Sequence, residues 1–415
     1  MTRLGWAVAG ALTTAGLALG GVGLLVARRL TAPVSPRTYD LTIRSIDRSG
    51  DRPIILLDRT SQTAATGEYS LLLESGGLVQ LSGEVEDRGP ALVGRTVARE
   101  SVQELKPGMR VSWSGIYFSS PRDAGLESKE VRVSTLEGPA PGWLIPGRDG
   151  PSDKWAIHIH GMGSPRAGTL RGVQVASASG LTSLVVSYRN DGDGPVVGSG
   201  SSTLGLEETR DVSAAIQFAL ENGAHRVVLF GWSMGGAIAM QLANDSEVRG
   251  DVDGVVLDSP VLDWPSTIKA NCVRAGLPAW IGFLSVPWLS SRPLSRLAGL
   301  ENPIDLRSFD WVARADELTA PVLILHGRDD TSVPFGSSVR LGALRPDLVA
   351  FEAFDADHTM SWNSDHERWK SRVTSWLEML ATHHSRGEPN RSTTLLQFRP
   401  NPLSGSDEDR QTKDL

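Results

Sequence analysis

Three textures of hydrophobic and polar positions succeed one another along the chain. The first is an unbroken apolar run: no charged residue lies between Leu4 and Val26, and Arg3 and the pair Arg28-Arg29 bound it. About 23 residues at a 1.5 Å rise span a hydrocarbon core of roughly 30 Å. The run ends directly in Ala27-Arg28-Arg29 and not in the small-residue polar site of a cleaved signal peptide. The pattern therefore predicts an uncleaved, single-pass transmembrane anchor over residues 1–30. The arginines on its C-terminal side favour leaving the following chain in the cytoplasm, but one extra arginine does not fix the membrane side.

The second texture, from about Thr38 to Leu136, is β-structure. Short runs such as Tyr39–Ile43, Pro53–Leu57 and Met109–Trp113 are separated by Gly, Asp and Pro turn signals, and Val131–Thr135 alternates apolar with polar residues. A small β-rich region over 38–136 is expected, as a domain of its own or as an N-terminal extension of a larger sheet. Its residues name no function.

After Pro141-Gly142-Trp143 compact apolar strands alternate with helix-length segments, which predicts an α/β fold with a mostly parallel sheet and helices on both faces. The strands are Trp155–Ile159, Thr182–Tyr188, Arg226–Phe230, Gly254–Asp258, Pro321–His326 and Leu348–Ala353. Helices are expected from Leu206 to Asn222, after Ser233, and from about Ser364 to Thr382. Between Asp258 and His326 lies more chain than an ordinary crossover uses. It carries Trp264, Trp280, Trp288 and Trp311, and predicts a helical cap at about 262–311 with an apolar acyl pocket; the alternative is an insertion whose aromatics pack its own small core. This α/β unit spans 142–383. The polar stretch 385–415 predicts a disordered tail.

Composition narrows the partners. A formal charge of −7 supplies no basic field, so nucleic acid is not expected. A single cysteine, Cys272, excludes an internal disulfide framework and any cysteine metal site, and reads as a small apolar residue in a helix. No Gly-x-x-x-x-Gly-Lys-Ser/Thr and no His-Glu-x-x-His segment is present, so neither metal nor organic cofactor is expected. Oligomeric state is not legible.

The chemistry centres on Gly231-Trp232-Ser233-Met234-Gly235, between a buried strand and the helix former Ala237–Ala243. A serine on a sharp strand-to-helix turn needs small residues two before and two after it, or their side chains strike the neighbouring strand and helix. The turn exposes the hydroxyl, and the helix N-terminus favours an oxyanion beside it. Serine needs a base, and the base an orienting carboxylate, in the chain order Ser, acid, His. That order removes His158, His160, His225 and His326. Of the rest, His366, His383 and His384 read as surface residues, and His358, on a loop after a strand, is the candidate base.

The acid falls in His326-Gly-Arg-Asp-Asp-Thr-Ser-Val-Pro334, which offers Asp329 and Asp330. The stretch resembles the His-Gly-x-x-Asp-x-x-Val-Pro segment of α/β-hydrolases of the esterase, monoacylglycerol-lipase and serine-aminopeptidase kind. That register implies Asp330 as the acid, with Asp329 as a turn residue. The same resemblance makes His160-Gly161-Met162-Gly163 an oxyanion loop with N–H donors from Met162 and Met234, gives His160 a structural hydrogen bond, and places Tyr188-Arg-Asn-Asp-Gly192 at the site's border as lining. It covers about Gly142 to Ala381 and implies an α/β-hydrolase fold cleaving a carboxylic ester, lipid-derived substrates included, through an acyl-enzyme. The same residues serve an amide-cleaving peptidase or aminopeptidase, or an acyltransferase. A catalytically dead binding protein is the alternative from another class. Small-molecule or lipid-like acyl compounds are the expected partners, with membrane contact through the anchor.

Overall fold

The computed structural model describes residues 18–99 and 104–385, which form two sheets. The first is antiparallel, in the order β1-β7-β4-β5-β6-β3-β2. Its strands are β1 (Leu41–Thr42), β2 (Ser45–Asp47), β3 (Ile54–Asp58), β4 (Tyr69–Leu73), β5 (Leu78–Asp87), β6 (Leu92–Arg99) and β7 (Arg110–Ser114). Alternate residues such as Ile55 and Leu57 turn into a core shared with Leu71, Val93, Tyr69 and Trp113. Arg95 is fully buried in this sheet, and burial lowers its guanidinium to about 10. Its cost is offset by hydrogen bonds donated to the carbonyls of Ala65, Gly67 and Ser82, which tie the loop between β3 and β4 to β5.

The second sheet has the order β15-β14-β13-β12-β10-β11-β9-β8. Its strands are β8 (Lys129–Thr135), β9 (Gly138–Ile145), β10 (Lys154–Ile159), β11 (Thr182–Val186), β12 (Arg226–Trp232), β13 (Val252–Asp258), β14 (Val322–Gly327) and β15 (Val349–Phe354). The strands from β10 onward run parallel, while β9 meets β11, and β8 meets β9, antiparallel. Val131–Thr135 thus extends this sheet and is separate from the first one. Described residues 18–31 form α1. The later helices are α2 (Leu170–Ala178), α3 (Glu208–Glu221), α4 (Met234–Asn244), α5 (Trp264–Arg274), α6 (Ile281–Ser290), α7 (Arg292–Ala298), α8 (Phe335–Leu344), α9 (Ser361–Ser364) and α10 (His366–Ser385). Val212, Ile216, Ala237 and Leu341 of α3, α4 and α8 pack one face; Val175, Trp369, Val373 and Trp376 of α2 and α10 pack the other. Parallel strands buried on both faces need continuous apolar runs, which β11 and β12 supply.

Two expectations change. Among the described residues no helix is long and apolar enough to cross a membrane. Residues 1–17, where most of the expected anchor lies, fall outside the described residues, as does the tail beyond 385. The remainder of the anchor is packed on protein. Ala27 is fully buried, a Cβ on Gly23 would stand 2.1 Å from the Leu284 carbonyl oxygen of α6, and Arg28 donates to the Leu297 carbonyl at 2.9 Å. Glycine at 23 is what lets two backbones approach so closely.

The insertion at 262–311 is helical; Trp264 and Trp311 turn inward and Trp288 is half-buried, whereas Trp280 and Phe283 are exposed. Trp264 donates its indole N–H to the Leu204 carbonyl, Trp311 is fully buried, and Trp288 lies against α1. None of its residues lines the cavity that holds Ser233.

Candidate active site

Gly231 and Gly235 leave the turn after β12 just enough room. A Cβ on Gly231 would lie 2.5 Å from the Gly235 carbonyl oxygen, and one on Gly235 would lie 2.2 Å from that of Ile159. Between them Ser233 takes φ 53 and ψ −116, a left-handed conformation that L-residues disfavour by about 1–3 kcal/mol. The surrounding strands hold it there: its N–H donates to the Asp258 carbonyl, and its own carbonyl accepts from Gly236 and Val261.

His358 follows β15, and Asp330 follows β14. The two loops are tied by Asp357, whose carboxylate accepts from the Thr331 and His358 N–H groups. The Nδ1–H of His358 donates to Asp330 Oδ2 at 2.7 Å, which leaves the Nε2 lone pair to accept from the Ser233 hydroxyl at 2.9 Å. The Asp330 side chain is fully buried. Burial alone would raise its pKa, but hydrogen bonds from His326 and His358 outweigh burial and hold the carboxyl well below its usual range. Its other oxygen accepts from the N–H groups of Ser332 and Val333 at 2.8 and 2.7 Å. Asp329 is exposed and takes no part, and His366 pairs with Glu367 and Glu68 away from the relay. Asp258, at the end of β13, is a second buried acid, but it is engaged by the Trp369 indole at 2.9 Å and by Ser361.

Met162 lines the same cavity as Ser233, while Met234 opens α4 directly after the serine. A Cβ on Gly161 would stand 3.1 Å from that of Ser233, so glycine there lets the loop close over the hydroxyl. The loop is pinned from below. Tyr188 donates its hydroxyl to the His160 carbonyl at 2.8 Å, and the His160 ring stacks on Tyr188 and donates Nδ1–H to the Gly161 carbonyl. Burial lowers His160 to about 4 and His158 to about 3, so both rings are neutral at pH 7. Asp191 accepts the Gly163 N–H at 2.7 Å. It lies in the segment expected only to line the site, and its role in holding the loop has no signature in residue type or spacing.

Burial raises the Asp191 carboxyl to about 7, the Gly163 and Gly192 N–H groups oppose this, and Glu208 adds to it. The folded chain therefore keeps a proton that the unfolded chain loses near pH 4, so stability falls as pH rises from about 4 to 7. Asp191→Asn keeps an acceptor for Gly163 and removes the ionisation. Urea unfolding should find it more stable than the parent at pH 8, by roughly 4 kcal/mol, with the gain shrinking towards pH 4. An equal difference at both pH values would show that ionisation is not the cause.

The cavity over Ser233, about 240 Å³, is closed by residues that sequence patterning left without a role. Trp113, Ser114, Gly115 and Ile116 follow from β7 of the first sheet, and Arg37 comes from the segment after α1. Asn363 in α9 fastens that sheet, donating to the carbonyls of Glu68 and Gly115 and accepting from Arg171. Among the described residues no group of three or more His, Cys, Asp or Glu could hold a metal ion.

An eight-stranded, mostly parallel sheet with a serine on the strand-to-helix turn and a His–Asp pair after later strands defines a class of hydrolase folds. The chain belongs to the alpha/beta hydrolase family, whose model matches residues 156–371. The first sheet coincides with a second match over residues 42–114, to a domain of unknown function (DUF8805). Protein ABHD12B of Homo sapiens is 30% identical over 242 residues, which are 55% of this chain and 57% of that protein, so the chain spans little more than half of that relative. Among solved structures, the Pyrococcus furiosus esterase Pf2001 is 22% identical with a TM-score of 0.49, covering 63% of this chain and 95% of the esterase. The Pyrococcus horikoshii acylaminoacyl peptidase is 14% identical with a TM-score of 0.46, covering 88% of this chain and 52% of the peptidase.

Proposed function

We propose that this hydrolase cleaves carboxylic esters through an acyl-enzyme. Ser233 attacks the carbonyl carbon while His358 takes the hydroxyl proton and Asp330 stabilises the imidazolium. The N–H groups of Met162 and Met234 hold the oxyanion, and the helix N-terminus behind Met234 favours its charge. His358 then gives the proton to the departing alcohol, and water, deprotonated by the same imidazole, releases the acid. The observation that carries the reading is the unbroken relay from Ser233 through His358 to Asp330, at 2.9 and 2.7 Å. A small cavity bounded by Trp113, Ile116, Met162 and Met360 supports an apolar acyl group beside the serine.

The test is fluorophosphonate labelling followed by p-nitrophenyl esters of short, medium and long acyl chains, each ester compared with its matching amide. The adduct should map to the peptide containing Ser233, and esters should outpace amides. Faster turnover of an aminoacyl amide would make the chain a peptidase. A folded protein that neither labels nor hydrolyses any ester would end the proposal.

A further inference from the structure

The relay contains a second imidazole. His326, the last residue but one of β14, is fully buried with its Nε2 at 3.1 Å from Asp330 Oδ2, the same oxygen that His358 engages. Its Nδ1 lies 2.7 Å from the Ser338 hydroxyl of α8. Ser338 is itself fully buried, so the polar atoms of this pair face each other and the carboxylate, with water shut out. With a neutral imidazole the two contacts fit together in one way. The His326 proton sits on Nε2 and is donated to Asp330, and the Ser338 hydroxyl donates to Nδ1. Asp330 thereby receives four hydrogen bonds: two at Oδ1 from the Ser332 and Val333 N–H groups, and two at Oδ2 from His326 and His358.

We propose that His326 is a positioning residue that tunes the base through Asp330, an inference that rests on the reading of Ser233, His358 and Asp330 as a triad. Every donor on the carboxylate draws charge away from the oxygen that faces His358. By sharing Oδ2, His326 weakens the attraction between Asp330 and the His358 imidazolium, and so keeps His358 free to accept a proton at lower pH. It also fixes the carboxylate plane, because Ser338 locks the ring. The other charged or titratable groups around His358 are Asp357, which accepts its N–H, Asp258 at the end of β13, Arg171 of α2, which donates to the Thr359 carbonyl, and Arg37, which lines the same cavity. None of these four hydrogen-bonds Asp330, so His326 acts on the relay by a route they do not share.

The experiment reads His358 directly. Full-length protein labelled with 13C at histidine Cε1 is titrated by NMR, with the His358 signal assigned by its loss in His358→Ala, and kcat/KM for an ester is measured over the same pH range. His326→Leu removes the donor. The His358 titration and the acid limb of kcat/KM should both move upward by about one pH unit. His326→Gln, which keeps an N–H donor, should restore the parent position, and Ser338→Ala should produce a smaller upward shift. Unchanged titration in His326→Leu and Ser338→Ala overturns the proposal even where kcat falls, because that fall is then a packing effect. If His326→Leu does not fold, Ser338→Ala decides alone, since loss of one hydroxyl leaves the ring in place. The NMR titration needs no turnover. A shifted His358 in a protein that hydrolyses no ester would therefore sink the proposed activity and leave the tuning intact.

Discussion

Ser233→Ala should lower kcat for ester hydrolysis by about a millionfold, His358→Ala by about the same, and the double variant by no more than either. The reason is that the groups act as one unit. Without the hydroxyl, His358 has no nucleophile to activate, and without the imidazole the hydroxyl keeps its proton. Whatever rate survives comes from substrate binding and from N–H groups facing the developing oxyanion, which neither substitution touches. Fold is not at stake at position 233. Alanine retains the Cβ, and the left-handed backbone is held by hydrogen bonds of the Ser233 N–H and carbonyl, not of its side chain. Thermal unfolding should therefore stay close to that of the parent. A Ser233→Ala protein keeping a hundredth of the parent rate would mean that some other group attacks the ester.

What could be read from the sequence was what depends on neighbours in the chain. The strands from β10 to β15 are buried on both faces, so each is a compact apolar run, and each expected strand overlaps an observed one. The turn at Ser233 was legible because its steric demand falls on residues two positions away, Gly231 and Gly235. Singling out His358 needed the chain order of the three groups and its position on a loop after a strand, and choosing Asp330 over Asp329 needed the register of a resemblance.

What could not be read depends on contacts between distant segments. His326 was set aside because chain order excludes it as the base, yet it lies on the same carboxylate as His358. Asp191 reaches Gly163 across 28 positions, and nothing local to an Asp-Gly pair announces that. Expecting the site to be covered by the insertion followed from its place in the sheet order, over the strand ends, and expecting an apolar acyl pocket there followed from its tryptophans; apolar content reveals that a surface is buried but not what buries it. Here Trp264 and Trp311 join the main core on one face of the parallel sheet, and the chain of β7 and just after it walls the cavity through Trp113 and Ile116. The apolar run before Arg28 posed the same ambiguity. From residue 18 onward its buried positions, Gly23 and Ala27, recur at helical spacing against protein.

Asp330→Asn should reduce kcat by about ten-thousandfold while leaving the side chain the same size. The loss comes from a proton in the wrong place. If the amide oxygen stays with the Ser332 and Val333 N–H groups, the amide nitrogen must occupy the position of Oδ2, where it presents hydrogens to two imidazoles that now donate to that atom. His358 can avoid the clash only by moving its own proton to Nε2. That nitrogen faces Ser233, and once protonated it cannot take the serine proton. Turning the amide over restores an acceptor for His358 but sets hydrogens against two backbone N–H groups in a buried loop, so it offers no escape. Stability should respond to pH in the opposite sense from Asp191. The Asp330 carboxyl is held below its ordinary range, so the parent has that stabilisation in full above the unfolded value near pH 4 and loses it as acid protonates the group. The variant lacks that dependence, and its deficit relative to the parent should shrink as pH falls. The rate of fluorophosphonate labelling, measured beside urea unfolding at pH 7 and pH 4, separates the two effects. Labelling within tenfold of the parent would remove Asp330 from the relay. Asp258 could not replace it without giving up the Trp369 indole.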